Sequence, residues 1–169
     1  MPFIYTRKER SVLNSPESAL LAFTRALTDI GYQFDVAPDG EQINFRLELS
    51  ESLGTHVSLQ FREQDCVQDL FTSLVFPSDQ VLNGLAFINM IQRTLAHTSL
   101  FLTPEGRLAI RSSLYTDPIP GLSILRTFLL EPVLLLMRIA PGCEMIIEGK
   151  SAAEAVEALS AVERTGQLN

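Results

Sequence analysis

The spacing of apolar residues changes period several times along this chain, and each change marks an element. Leu20, Phe23, Leu27 and Ile30 recur at helical spacing and line one face. Ser15 is placed to cap that helix, with Pro16 in its first turn and Glu17 near the positive end of the dipole. Gly31 ends it, since glycine accepts the left-handed conformation that closes a helix. The period then drops to two. Tyr32, Phe34 and Val36 alternate with polar residues up to Pro38-Asp39-Gly40. Ile43, Phe45, Leu47 and Leu49 do the same, and after a turn at Leu53-Gly54 so do Val57, Leu59 and Phe61. Alternation this regular predicts an antiparallel sheet with one wet face.

From Asp69 to Phe76 both parities are apolar, which predicts a central strand or one covered on both sides, stopped by Pro77. Helical spacing returns over Asp79–His97. Val81, Leu85, Ile88, Ile91 and Leu95 form one stripe, and Leu82, Ala86, Phe87 and Met90 lie across the other side. A helix with two apolar surfaces must bury one against its own sheet and the other against something else. Leu100–Leu102 and Leu108–Leu114 predict a second hairpin around Pro104-Glu105-Gly106. A long helix is expected next, capped by Asp117, with Pro118 and Pro120 in its first turn. It is mostly apolar apart from a strip of Ser123, Thr127, Glu131 and Arg138, and it should kink or restart at Pro132. Residues 142–148 suit strand or helix equally. Ser151-Ala152-Ala153-Glu154 is a capping box that opens a last helix, with Ala155, Val156, Leu159 and Val162 on one face.

The predicted architecture is therefore α+β: a single antiparallel sheet with an N-terminal helix, a central helix after four strands, a second hairpin and C-terminal helices. Residues 1–14 lack periodicity and are expected to form an arm, with one domain over 15–165. The turns Ala37-Pro38-Asp39-Gly40-Glu41 and Thr103-Pro104-Glu105-Gly106-Arg107 share one form: proline presets φ, an acidic residue takes the second corner, and glycine takes the left-handed position. Each follows a helix and a short strand, so helix–hairpin units are expected in both halves.

Composition narrows the chemistry. A chain of 169 residues with 46% hydrophobic and 20% charged residues can bury a core without staples. A net charge of −7 argues against nucleic acid or anionic membranes as partners, because phosphate binding needs clustered Lys and Arg. Leu122–Ala140 is the most apolar stretch, but it holds Arg126, Glu131, Pro132 and Arg138, so a buried core helix is expected rather than a membrane span. No apolar segment follows Arg7, Lys8 and Arg10, so no secretory signal is expected. Cys66 and Cys143 stand far apart and suit reduced thiols in a cytoplasmic protein.

The sequence shows neither a phosphate-binding glycine loop nor a nucleophile elbow, and its two histidines and two cysteines are too scattered for a transition-metal site. No catalytic residue, metal or cofactor is expected. His56 falls on the polar parity of its strand, and His97, at the predicted end of the second helix, suits the dipole there. Glu63, Asp65, Cys66 and Asp69 suit an inter-strand turn, since carboxylates raise a thiol's pKa rather than activate it. An enzyme would need groups such as His56 and Asp65 to converge in a cleft. Gln92 falls inside the apolar stripe and Asn89 flanks it. Either the two amides bind backbone of the adjoining sheet or following strand, or they lend specificity to an interface. Arg126 is the one charge on the apolar arc of its helix, free to snorkel, to pair with a carboxylate or to anchor a partner.

The segment "LNGLAFINMIQRTLAHTSLFLTPEGRLAIRSSL", Leu82 to Leu114, sets the step Asn89-x-x-Gln92 ahead of a hairpin with an acidic-Gly turn. With "EGKSAAEAVEAL" near the end and the order of elements over residues 16–160, it resembles the YbjN-type domains. These are the bacterial sensory transduction regulators, of type III secretion chaperone-like fold. The resemblance implies a non-enzymatic fold, dimerisation, and roles in regulation or in holding other proteins; it carries over no catalytic residues. The expected function is a cytoplasmic protein-binding module, a regulatory adaptor or chaperone-like protein, acting as a homodimer. Its interface candidates are Leu82, Phe87, Met90, Asn89, Gln92 and Arg126. The alternative is a small-ligand sensor with a pocket between the sheet and the helix 122–139, where Arg126 would meet an anion.

Overall fold

The computed structural model describes residues 16–166; the expected arm over residues 1–14 and the Ser15 cap lie outside the described residues. The elements run α1 (Pro16–Ile30), β1 (Phe34–Val36), β2 (Gln42–Glu48), β3 (Gly54–Phe61), β4 (Asp65–Val75), α2 (Val81–Gln92), β5 (Thr98–Leu102), β6 (Arg107–Tyr115), α3 (Leu122–Ile147) and α4 (Ala152–Gly166). The strands form one six-stranded antiparallel sheet in the order β1-β2-β3-β4-β6-β5, so the fold is α+β as the periodicities require.

Both helix–hairpin units are present, α1-β1-β2 and α2-β5-β6, and they end at opposite edges of the sheet. Their two turns close alike. Gly40 and Gly106 take φ of 72° and 78°, and each donates its N–H to the carbonyl three residues back, Ala37 and Thr103, at 2.9 Å.

Register then decides which residues meet. Val57 faces Phe45 and Leu70, Leu59 faces Ile43, and Leu70 faces Ile110, so these alternate residues share one side of the sheet. On that side α1 packs against β3, α3 crosses β4 and β6, and α2 lies beside β5. Phe23 sits at the junction, edge-on to Phe61 at 5.2 Å and to Phe128 at 5.9 Å between ring centres. Each fully buried Phe or Leu of this core contributes about 1.5–3 kcal/mol. β4 is central, as its two apolar parities predict. Its far-side residues Val67 and Asp69 are buried although the helices pack on the other side.

Several boundaries differ from expectation. α2 ends at Gln92, not at His97. Thr94 closes it, its N–H and hydroxyl both donating to the Ile91 carbonyl, so His97 lies exposed beyond the helix and does not meet its dipole. Asp117 does not cap α3. Prolines 118 and 120 hold the residues before them out of helical conformation, and the helix begins only at Leu122 behind an extended Gly121. α3 does not restart at Pro132. It runs unbroken through Pro132 and Pro141 to Ile147, which makes the ambiguous residues 142–147 helical and takes the helix well past residue 139. Nor is it wholly buried: Leu122, Ile124, Leu134 and Met137 face outward, because no described element covers that side. Asp65, Cys66 and Asp69 belong to β4 rather than to a turn, and only Glu63 precedes the strand.

Candidate interaction surface

α2 is pinned by one face. Gly84, Phe87 and Ile88 are buried, with Val81 and Ile91 partly so. At Gly84 the backbone comes so close to the Phe76 ring that an added Cβ would lie 2.8 Å from Phe76 Cδ1. At Gly142 an added Cβ would lie 2.8 Å from Phe87 Cζ and 3.0 Å from Leu159 Cδ1. Phe87 is thus packed in a notch that α3 opens with a glycine and α4 lines with a leucine.

This corrects two expectations. Phe87 is no surface residue: its exposure is 0%, because α4 covers the flank of α2 that a two-dimensional wheel leaves bare. Leu85, placed on the inner stripe by periodicity, is 39% exposed instead, and Gly84 takes the inner position. The outer face is nevertheless apolar. Leu82 is 80% exposed and Met90 43% exposed, with Leu85 and Ala86 between them and Asn89 exposed at the margin. The outer apolar set is therefore Leu82, Leu85, Ala86 and Met90, two turns of helix long.

Gln92 turns inward. Its Nε2 donates to Thr98 O at 2.8 Å and its Oε1 accepts from Leu100 N–H at 2.7 Å, so the amide binds backbone of the strand that follows. Arg126 resolves to a carboxylate partner: its Nη2 donates to Asp29 Oδ2 at 3.0 Å across α1 and α3, with both side chains about half exposed.

Between the sheet and α3, where the alternative reading expects a pocket, Leu129 and Leu136 are fully buried. A groove of about 640 Å³ lies instead along the outer side of α3, walled opposite by residues 95–98. Leu95, Leu130 and Leu134 line it, with Arg126, Glu131 and Arg138 at its sides.

Among the described residues, His56 and Asp65, the two groups that a catalytic reading brings together, stand apart. His56 pairs across strands with Phe71, six residues along β4 from Asp65, a separation of about 20 Å. Burial pushes the Cys66 thiol far above its ordinary value, with the Asp65 carboxylate adding to it. The Cys143 thiol is pushed up to about 12, again by burial first and then by Glu144. Both are inert by this measure. Among the described residues no three metal-binding side chains cluster, and no helix is long and apolar enough to cross a membrane.

One arrangement on the far side of the sheet escaped sequence reasoning. Asp69, only 3% exposed, accepts two hydrogen bonds from Arg111, at 2.6 Å from Nε and 2.9 Å from Nη2. The same guanidinium stands over the Phe101 ring at 5.6 Å. The fork geometry and the stacked ring hold Arg111 in place, and the Asp69 hydrogen bonds, followed by the Asp69 charge, raise its pKa. Asp69 and Arg111 face each other in register on β4 and β6, 42 residues apart, and no local pattern could have paired them.

A helical layer on one side of a six-stranded antiparallel sheet defines the class of fold. Among solved structures, the chain is similar to YbjN from E. coli, at 14% identity and a TM-score of 0.53, over 66% of this chain and 81% of that one. The resemblance stated from sequence is thus found at the level of the fold. A likeness also extends to the Yersinia pestis type III secretion chaperone SycH, solved in complex with a fragment of YscM2. There the identity is 13% and the TM-score 0.44, over 70% of this chain and 98% of that one. No family model matches the chain, and no curated protein does.

Proposed function

We propose that this domain is a non-catalytic, intracellular protein-binding module that works as a homodimer through the outer face of α2, in an adaptor or chaperone-like role. The observation that carries the reading is Leu82, a large apolar side chain 80% exposed on a helix whose other face is locked into the core. Leu85, Ala86 and Met90 extend the patch along the same face. Contiguous apolar surface of this kind, on a rigid element, is the ordinary signature of a contact site. Asn89 at its margin offers a directional hydrogen bond to the facing surface. The net charge of −7 disfavours nucleic acid as the partner, and two buried thiols suit a reducing compartment.

Light scattering coupled to gel filtration tests this directly. Wild-type protein should run at twice the chain mass, and Leu82→Asp and Met90→Asp should run at the chain mass with unchanged circular dichroism. A charge in a desolvated patch is strongly unfavourable but on a wet surface costs little. A monomeric wild-type protein would sink the dimer reading.

A further inference from the structure

The groove along α3 is separate from the α2 patch and carries a chemistry of its own. Its floor is leucine, and its volume of about 640 Å³ falls within the range of small-molecule sites. The stretch of α3 that forms one wall, residues 122–138, is about 24 Å long. Two guanidinium side chains line it, Arg126 and Arg138, against Glu131 as the one acidic lining residue, with the His97 imidazole beside them. In a chain with 20 acidic and 13 basic residues that local balance is inverted.

Arg126 is the informative member. Asp29 takes a single contact from one of its nitrogens, Nη2, whereas Asp69 engages Arg111 through both Nε and Nη2. A guanidinium has five N–H donors in a fixed fork. Arg126 therefore keeps donors for a second carboxylate while Asp29 holds it at the groove wall.

We propose that this groove binds a single-chain amphiphile bearing a carboxylate, with the carboxylate on Arg126 and the hydrocarbon along Leu130, Leu134 and Leu95. The site is independent of the α2 contact, so each reading stands or falls alone. Cis-parinaric acid below its micellar concentration, titrated by fluorescence into the full chain, is the probe, with dodecanoate and dodecanol as competitors. Saturable binding is expected, displaced by dodecanoate and at least tenfold less well by dodecanol. Arg126→Gln should weaken it about tenfold, Leu134→Glu should abolish it, and Asp29→Asn, which removes the competing carboxylate, should tighten it. Met90→Asp should leave it unchanged even where it splits the dimer. Absence of saturable binding, equal displacement by the alcohol, or an unchanged affinity in Arg126→Gln would each overturn the proposal. A fall in particle mass on Leu134→Glu would overturn it too, because the groove would then be filled by a second copy of the chain.

Discussion

Gln92 Oε1 accepts the Leu100 N–H at 2.7 Å while its Nε2 donates to Thr98 O at 2.8 Å, so one side chain stands in for a neighbouring strand along the free edge of β5. A polar residue on a helix face that turns inward is explained by this: the two backbone groups would otherwise lack a partner beneath α2. Gln92→Leu keeps the volume but strips both bonds. Leaving a part-buried donor and acceptor unpaired should destabilise the domain by about 1–3 kcal/mol, read as a lower urea midpoint with unchanged slope. Gln92→Glu keeps the acceptor and loses the donor at neutral pH. Its deficit should shrink as the pH falls and the carboxyl regains a proton to give Thr98.

Gly142 makes a prediction of unusual sign. Replacing glycine by alanine inside a helix ordinarily gains about 1 kcal/mol. Here the new methyl would meet Phe87 Cζ at 2.8 Å and Cε2 at 2.9 Å, on a ring with no exposure and no room to retreat. Gly142→Ala should therefore destabilise by about 1–3 kcal/mol. Phe87→Leu should cost less in the Gly142→Ala background than alone, and thermal or urea unfolding of the double-mutant cycle measures that coupling.

Phe87 and Met90 separate core from surface on one helix. Phe87→Ala should cost about 3–5 kcal/mol, since it empties a fully buried ring site between α2, α3 and α4. Met90→Ala should change monomer stability by less than about 1 kcal/mol, because the side chain is 43% exposed. Urea unfolding at protein concentrations low enough to dissociate any dimer distinguishes the two. Equal losses would mean that Met90 is as much part of the core as Phe87.

The strands were legible because alternation is local: Ile43, Phe45, Val57 and Leu59 reveal a wet and a dry face without reference to any neighbour. The two Pro-acidic-Gly turns were legible for the same reason, as was the capping box at Ser151. What the sequence hid is set by packing at a distance. The α2 wheel turns by about one residue, with Leu85 outward and Gly84 inward, because Phe76 and α4 fix its depth and flank. Asp117 carried the signature of a cap, but the two prolines after it outweigh that preference. Gln92 was readable as a buried amide and its partners were among the alternatives. The Asp69–Arg111 pair was not readable, since β4 and β6 become neighbours only in the assembled sheet, with α2 and β5 between them along the chain.

The two thiols should report the integrity of the fold. With Cys143 pushed up to about 12 and Cys66 raised further, the native thiolate population at pH 8 is smaller than that of an ordinary cysteine by about three orders of magnitude. A disulfide reagent such as dithionitrobenzoate should find no fast-reacting cysteine in native protein, and two in guanidinium chloride. Rapid reaction of either thiol in native protein would mean that the sheet–α3 core opens readily.

The capping box gives the last helix an acid-sensitive start. Glu154 Oε2 accepts the Ser151 N–H at 2.9 Å and the Ser151 hydroxyl at 2.7 Å, while Ser151 Oγ accepts the Glu154 N–H at 3.3 Å. The Ser151 side-chain hydrogen bond, followed by the backbone one, holds the Glu154 carboxyl below its ordinary value of 4.5. The sign follows from that depression. The folded state binds the proton less readily than the unfolded chain, so the stabilisation is complete above the unfolded pKa. It is lost as the pH falls through the lower folded pKa. Glu154→Gln should leave less of this pH dependence between about pH 5 and pH 3 than wild type shows. Urea midpoints measured across that window should converge for the two proteins as acid removes the interaction from wild type. Midpoints that stay a constant distance apart would mean that the carboxylate contributes nothing the amide cannot supply.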